Sequence, residues 1–343
     1  METFWYGAVA VMVAAYVVLD GFDLGAGALH LLVARGDKER REVLAAIGPV
    51  WDGNEVWLIA GGGTLFFAFP RAYAAGFSGF YLPLMMVLWL LILRGLSVEL
   101  RSHLEAPVWR SFFDGTLAFS SVVLCIVLGA ALGNVLRGVP LDATGSFLVP
   151  LFTDFGVRGS SQGVLDWYTV LLGLFALSAL CGHGALFLAW RCAGPVQARA
   201  TRLSLRAYAV TAALGAAAIA ATDVVRPQLY AQMLARPLSY PLLLLAAGSL
   251  AAVFVLRARG KELPAFLASA GFLLGTLAAT AVGFFPDLLV STVAPEHTIT
   301  AWSAAAGAHG LRVGLTWWSL AMPLALGYFA YLYRSLRGKV VVS

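Results

Sequence analysis

Apolar residues run along this chain in long blocks, separated by short polar or basic stretches. A helix needs roughly 20 apolar residues to cross a bilayer. Blocks of that order lie at approximately 4–34, 43–70, 80–100, 113–133, 167–190, 207–222, 240–256, 264–285 and 309–333. The pattern predicts an all-α polytopic membrane protein with about nine transmembrane helices. A short internal match, GAGALHL at 25–31 and GHGALFL at 182–188, falls near the same end of two spans that are four spans apart. It fits two four-helix bundles in parallel orientation plus one additional helix. The expected division is a first four-helix unit over 1–133, an external loop over 134–166, a second unit over 167–285, and a further external loop with the C-terminal helix over 286–343. The 134–166 loop is rich in Gly and Pro, Gly159 included, and reads as irregular outer structure. The nearly uncharged 286–308 stretch is expected to pack on a partner or lie at the membrane surface.

Composition strengthens this picture. The 343 residues are 60% hydrophobic and 12% charged, where a soluble domain carries roughly 25% charged residues. The first span begins at Phe4 with no basic leader and no small-residue cleavage site, so it reads as a retained helix. Of the 23 Lys and Arg, sixteen fall in one set of loops, Arg337 among them, and five in the other, Arg158 among them. The positive-inside rule then places the N-terminus outside and the C-terminus in the cytoplasm. The basic charge therefore reports topology, and with no basic cluster interleaved with aromatics it implies no nucleic-acid partner. Cys125, Cys181 and Cys192 have no CxxC spacing, and the first two read as small buried hydrophobes.

The polar residues inside the apolar blocks are the candidate chemistry. The second block contains GPVWDGNEVWLIAGGGTLFFAFP, with Asp52, Asn54 and Glu55 in a span. The first contains LDGFDLG, with Asp20 and Asp23. A carboxylate at membrane depth costs on the order of 3 kcal/mol, and each pair is spaced i, i+3 on one helix face. Counted from the basic side, all four acids come out about 14–21 Å deep at 1.5 Å per residue. Trp51 and Trp57 flank the second pair. Gly61, Gly62 and Gly63 follow, where a helix should bend or admit a close neighbour. Arg94, in the third block, can snorkel to the interface or turn inward to an acid, and pairing with an acid in span one or two is the expectation. The four acids suit helix-to-helix hydrogen bonding, proton conduction or a polar ligand site.

A haem held between helices usually needs His or Met pairs. Of the five histidines, His30, His103, His183, His297 and His309, only His183 lies well inside a span, and no two are spaced to face each other on one helix. No CxxCH, Walker, GxGxxG or zinc spacing occurs, so no metal site is expected. Midplane acids, glycine-interrupted helices and repeats also mark proton-coupled secondary transporters, although their repeats should contribute to the site from both halves. A purely structural assembly subunit is the third reading.

LDGFDLGAG, GPVWDGNEVWLIAGGG, FAFP, GFYLPL, ILRG, the GHGA stretch at His183 and the final TWW span together resemble subunit II of the cytochrome bd-type quinol oxidases. WDGNEVWLI is the most specific of these, and the resemblance covers nearly the whole chain. It implies a bacterial cytoplasmic-membrane complex that passes electrons from quinol to oxygen and makes water. Subunit I, the partner, would carry two haems b, one haem d and the quinol-oxidation site. This subunit would carry no haem. It would contact membrane lipid, and small single-helix accessory subunits can join such a complex. The resemblance assigns Asp52, with Glu55 as a weaker candidate, to a cytoplasmic proton path. It places Asp20 and Asp23, with Trp57 and Arg94 nearby, in a polar interior where some members hold a quinone.

Overall fold

The computed structural model describes residues 1–157, 162–336 and 338–340; Arg158, Gly159 and Arg337 lie outside them. Twelve α-helices are present among the described residues: α1 Glu2–Val33, α2 Asp37–Ile47, α3 Trp51–Ala68, α4 Pro70–Gly79, α5 Tyr81–Leu100, α6 Pro107–Arg137, α7 Trp167–Arg191, α8 Gly194–Val225, α9 Pro227–Leu234, α10 Ser239–Ala258, α11 Glu262–Phe284 and α12 Ala308–Ser335. Eight of them are long and apolar enough to cross a membrane. The 18-residue α3 is not among the eight. Its Asp52, Asn54, Glu55 and four glycines dilute its hydrophobicity, and it is the ninth long helix.

The block at 43–70 does not form one span. Its first part belongs to α2, a short amphipathic helix that buries Val43, Leu44, Ala46 and Ile47. The chain then turns at Gly48–Pro49–Val50, and α3 starts at Trp51. Proline lacks the N–H that would continue α2, and the turn sets α3 on its own course. Helix α3 then runs unbroken through Gly61–Gly63. Only Gly61 of the three approaches α1, facing Met12 and Val13; the other two face open space.

Helices α1 and α7 form the centre. Helix α1 packs on α3, α6 and α7, and α7 packs on α6, α8 and α11. They touch inside the two matching heptapeptides. A Cβ on Gly25 would overlap the Leu180 carbonyl, and one on Gly184 would overlap the backbone of Gly25 and Ala26. Small residues let helix backbones approach this closely, and dispersion replaces the hydrophobic drive that lipid cannot supply.

The connections of the two halves also correspond. Helices α3 and α5 are joined through α4, and α8 and α10 through α9. Each short helix opens on a proline after a residue of nearly the same conformation: Phe69 at φ −135°, ψ 61° and Arg226 at φ −147°, ψ 73°. Proline at a helix start loses no hydrogen bond.

The described parts of the two long loops, 134–166 and 286–308, form one cap. Strands β1 Asp287–Leu289 and β2 Ile299–Thr300 pair antiparallel. Val139 exchanges backbone hydrogen bonds with Val290 and Thr292, and Leu141, Val149, Leu289 and Ile299 share a core. The 286–308 stretch thus packs on the other loop of its own chain. Asp166 starts α7 with a reciprocal capping box, accepting from the N–H groups of Tyr168 and Thr169 while Thr169 accepts from Asp166. Arg137 pairs with Asp166 beneath the cap.

Candidate functional site

Three helices bring the polar residues of the first half together. Asp20 and Asp23 come from α1, Asn54 and Glu55 from the first turns of α3, and Arg94 from α5. Arg94 is fully buried. Its guanidinium donates to Asp20 and, at 3.3 Å, to Glu55 Oε2, and lies 3.9 Å from Asp23 Oδ2. Its carbon sits 5.4 Å from the centre of the Trp51 ring, within cation–π range. Arg94 therefore points inward. A buried guanidinium lowers its desolvation cost when several acceptors surround it, and this one has three carboxyl groups.

Asn54 is the member of WDGNE that the sequence reading left without a role. Its amide donates to Asp23 Oδ2 at 2.7 Å and to the Leu19 carbonyl at 3.1 Å, and its oxygen accepts from Tyr333 of α12 at 2.8 Å. Through these bonds α3 begins at the level of Asp23. The acids meet at one level because α3 starts there and does not pass through from the basic side.

Asp52 differs from its neighbours. It lies in the first turn of α3, is exposed on this chain, and has no hydrogen-bond or ion-pair partner among the described residues. The Glu55 side chain is 20% exposed. From Asp52 through Glu55 to Asp20 and Asp23 the carboxyls pass from open to fully buried. Several buried atoms here lack a hydrogen-bond partner among the described residues: Tyr16 Oη, Asp20 Oδ2, Asp23 Oδ1, Arg94 Nε and Trp57 Nε1. Trp57 packs with Met12, Tyr16 and Phe329.

The link to α12 gives a testable consequence. Tyr333→Phe removes the donor to Asn54 and leaves a buried amide oxygen unpaired, which should lower stability by about 1 kcal/mol. Thermal unfolding of the membrane-embedded protein should show the loss. An unchanged transition would mean that α12 is held by its aromatic packing alone, through contacts such as Phe329 on Trp57.

A second buried network lies toward the basic end. Asp114 of α6 accepts from Arg101 Nε at 2.6 Å, Arg101 Nη2 at 3.1 Å and Arg40 Nη1 at 2.9 Å, and meets His30 Nε2 at 2.6 Å. Asp37 extends it outward to Arg101, Arg110 and Arg41. Sequence reasoning missed Asp114, although an acid near the end of an apolar block, facing basic loops, was visible.

Four of the five histidines are held by groups of this chain. His183 is held by Ser269 Oγ at 2.6 Å and the Val18 carbonyl at 2.9 Å, and stacks on Phe266. His30 is bound to Asp114. His103 and His297 meet backbone carbonyls, and His309 is exposed. No cluster of three or more His, Cys, Asp or Glu suited to a metal ion occurs among the described residues.

Comparison with known proteins adds to this geometry. The family model described as cytochrome bd terminal oxidase subunit II matches residues 1–336. The chain is 30% identical to the cytochrome bd-I ubiquinol oxidase subunit 2 of Escherichia coli K12, over 98% of this chain and 94% of that one. It is 28% identical to the cytochrome bd ubiquinol oxidase subunit 2 of Bacillus subtilis strain 168, over 99% and 97%. In fold it is similar to a chain of the bd oxidase from Geobacillus thermodenitrificans, with TM-score 0.74, 16% identity and 97% of each chain covered.

Proposed function

This chain belongs to the cytochrome bd terminal oxidase subunit II family, and from that premise we propose that it supplies a proton path to oxygen reduction carried out in its partner. As subunit II it works in a complex with subunit I, an oxidoreductase that oxidises quinol and carries haems. The family sets aside the transporter reading. In our reading the two haems b, the haem d and the quinol-oxidation site belong to subunit I, because four of the five histidines here are bound to groups of this chain and the fifth, His309, is exposed. The complex sits in a bacterial cytoplasmic membrane, in contact with lipid, with the basic loops and the C-terminus inside and the N-terminus outside. Small single-helix subunits fit the same assembly.

The observation that carries the proposal is the graded row of acids. Asp52 is open, Glu55 is partly covered, and Asp20 and Asp23 are buried, with Arg94 facing the last three. One guanidinium balances one carboxylate. Further negative charge in a water-poor interior is costly, so the group can hold and release protons while Arg94 stays charged. Protons drawn from the cytoplasm while quinol protons leave outside would store a membrane potential, worth about 2.3 kcal/mol per charge per 100 mV. A quinone headgroup is a second occupant for the same interior. Tyr16 Oη, four residues before Asp20 on α1, and Trp57 Nε1, which packs against Tyr16, are buried donors suited to its oxygens.

The test is Asp52→Asn in the assembled oxidase. The change keeps shape and hydrogen bonding and removes the titratable proton. Haem content should be retained, and oxygen uptake per haem should fall, more steeply at high pH where protons are scarcer. Unchanged turnover at every pH would remove Asp52 from the path.

A further inference from the structure

The buried acids and the Asp114 network lie on one face of α1. Tyr16, Asp20, Asp23, Gly27 and His30 follow at steps of four, three, four and three residues, the repeat that keeps side chains on a single helix face. Every one of them is buried. Opposite Gly27 stands Ser121 of α6, whose hydroxyl occupies the space a Cβ would take. Along this face the buried atoms without a hydrogen-bond partner among the described residues include Tyr16 Oη, Asp20 Oδ2, Asp23 Oδ1, Ser121 Oγ and His30 Nδ1. A buried polar atom normally has a partner, and ordered water is the usual one when protein supplies none.

The state of His30 follows from its neighbours. Three donor N–H groups from Arg101 and Arg40 converge on Asp114, which is the environment of an ionised carboxylate. A carboxylate only accepts, so His30 Nε2 carries the hydrogen that bridges them. His30 Nδ1 is then a bare, buried acceptor. This is how a carboxylate fixes an imidazole's tautomer and supports the cation that forms on protonation.

We propose that His30, oriented by Asp114, is a proton-transfer group on a second branch of the path, which follows this face of α1 from the basic end to Asp23 and Asp20. The outer edge of the network is open to solvent, with the Asp37 side chain 40% exposed and that of Arg40 27%. Nδ1 takes a proton from water and the imidazolium is balanced by Asp114, while Nε2 keeps its hydrogen. Nδ1 then loses that proton by way of water at Ser121 Oγ, and a carboxylate oxygen of Asp23 gains it. His30 and Asp23 are seven residues apart, about 10 Å along the axis at 1.5 Å per residue, so the transfer needs the intervening hydroxyl and water. The charged and titratable groups around His30 are Asp114 from α6, Arg40 from α2 and Arg101 after α5, with Asp37 and Arg110 one contact further out and Asp23 and Asp20 on its own helix.

This branch rests on the proton-path reading, and the experiment separates the two. His30→Gln keeps an N–H donor near the Nε2 position and has no nitrogen that accepts a proton. It is compared with Asp52→Asn and with the double variant, as oxygen uptake per haem across pH in the intact two-subunit oxidase, in light and heavy water. With one branch still open, turnover of His30→Gln should fall about three- to tenfold, less than the loss of a sole acid–base group. The pH profile should shift, the solvent isotope effect should rise, and the double variant should be slower than either single one. A fall in Asp52→Asn with none in His30→Gln overturns the His30 branch and leaves the main reading standing. A fall in His30→Gln alone keeps the branch and removes Asp52. No change in either overturns both. If His30→Gln loses haem, Ser121→Ala replaces it: a slower assembled enzyme supports the branch, and unchanged turnover at all pH values overturns it.

Discussion

Arg94→Leu should all but eliminate assembled oxidase from the membrane. The substitution leaves Asp20, Asp23 and Glu55 facing one another with no cation between them. Removing one partner of a buried ion pair costs about 3–5 kcal/mol because the remaining charge keeps its desolvation penalty. Here the remaining acids also repel. Haem-containing complex, measured spectrally per unit of membrane protein, should fall at least about tenfold, as a cost of that size implies. Arg94→Lys keeps the charge but not the fork that reaches Asp20 and Glu55 together, so it should be intermediate. Combining Arg94→Leu with Asp20→Leu, which removes the Asp20 charge, should restore part of the complex. If Arg94→Leu alone assembles at the normal level, the cluster does not hold the helices in place.

Gly25→Leu should be as damaging, for a different reason. Its Cβ would fall on the Leu180 carbonyl and beside the Gly184 amide. These atoms are backbone and cannot rotate away, so α1 and α7 would have to separate. Overpacking a core typically costs 1–3 kcal/mol, and a backbone obstacle should place this case at about 3 kcal/mol or above. Gly62→Leu is the control, because a Cβ there meets nothing within 4 Å. Protease resistance and haem yield should fall in the first variant and hold in the second. Equal behaviour of the two would mean that α1 and α7 do not depend on this contact.

Long apolar runs were legible in the chain because lipid offers no hydrogen bonds, so each span must be a helix of sufficient length and apolarity. WDGNEVWLI carried the family for the same local reason: adjacent residues suffice to recognise it. The presence of unusual acids was equally plain, since polar groups stand out in an apolar block.

What these acids touch was decided by tertiary structure. Asp20 and Arg94 are 74 residues apart, and His30 and Asp114 are 84 apart. Their meeting depends on how each helix is rotated and where it begins. The turn at Gly48–Val50 moved the start of α3 to Trp51. That left Asp52 open, brought Asn54 to Asp23 and Tyr333, and aimed Glu55 at Arg94. A period of 3.6 residues shows which side chains share a face but not which neighbour that face meets. Sequence by itself therefore determined the class, the family and the residues with chemistry. The packing of α1 against α3 and α6, and of α5 against α6, selected which of them form one site, because the close contacts that fix rotation lie between segments far apart in the chain.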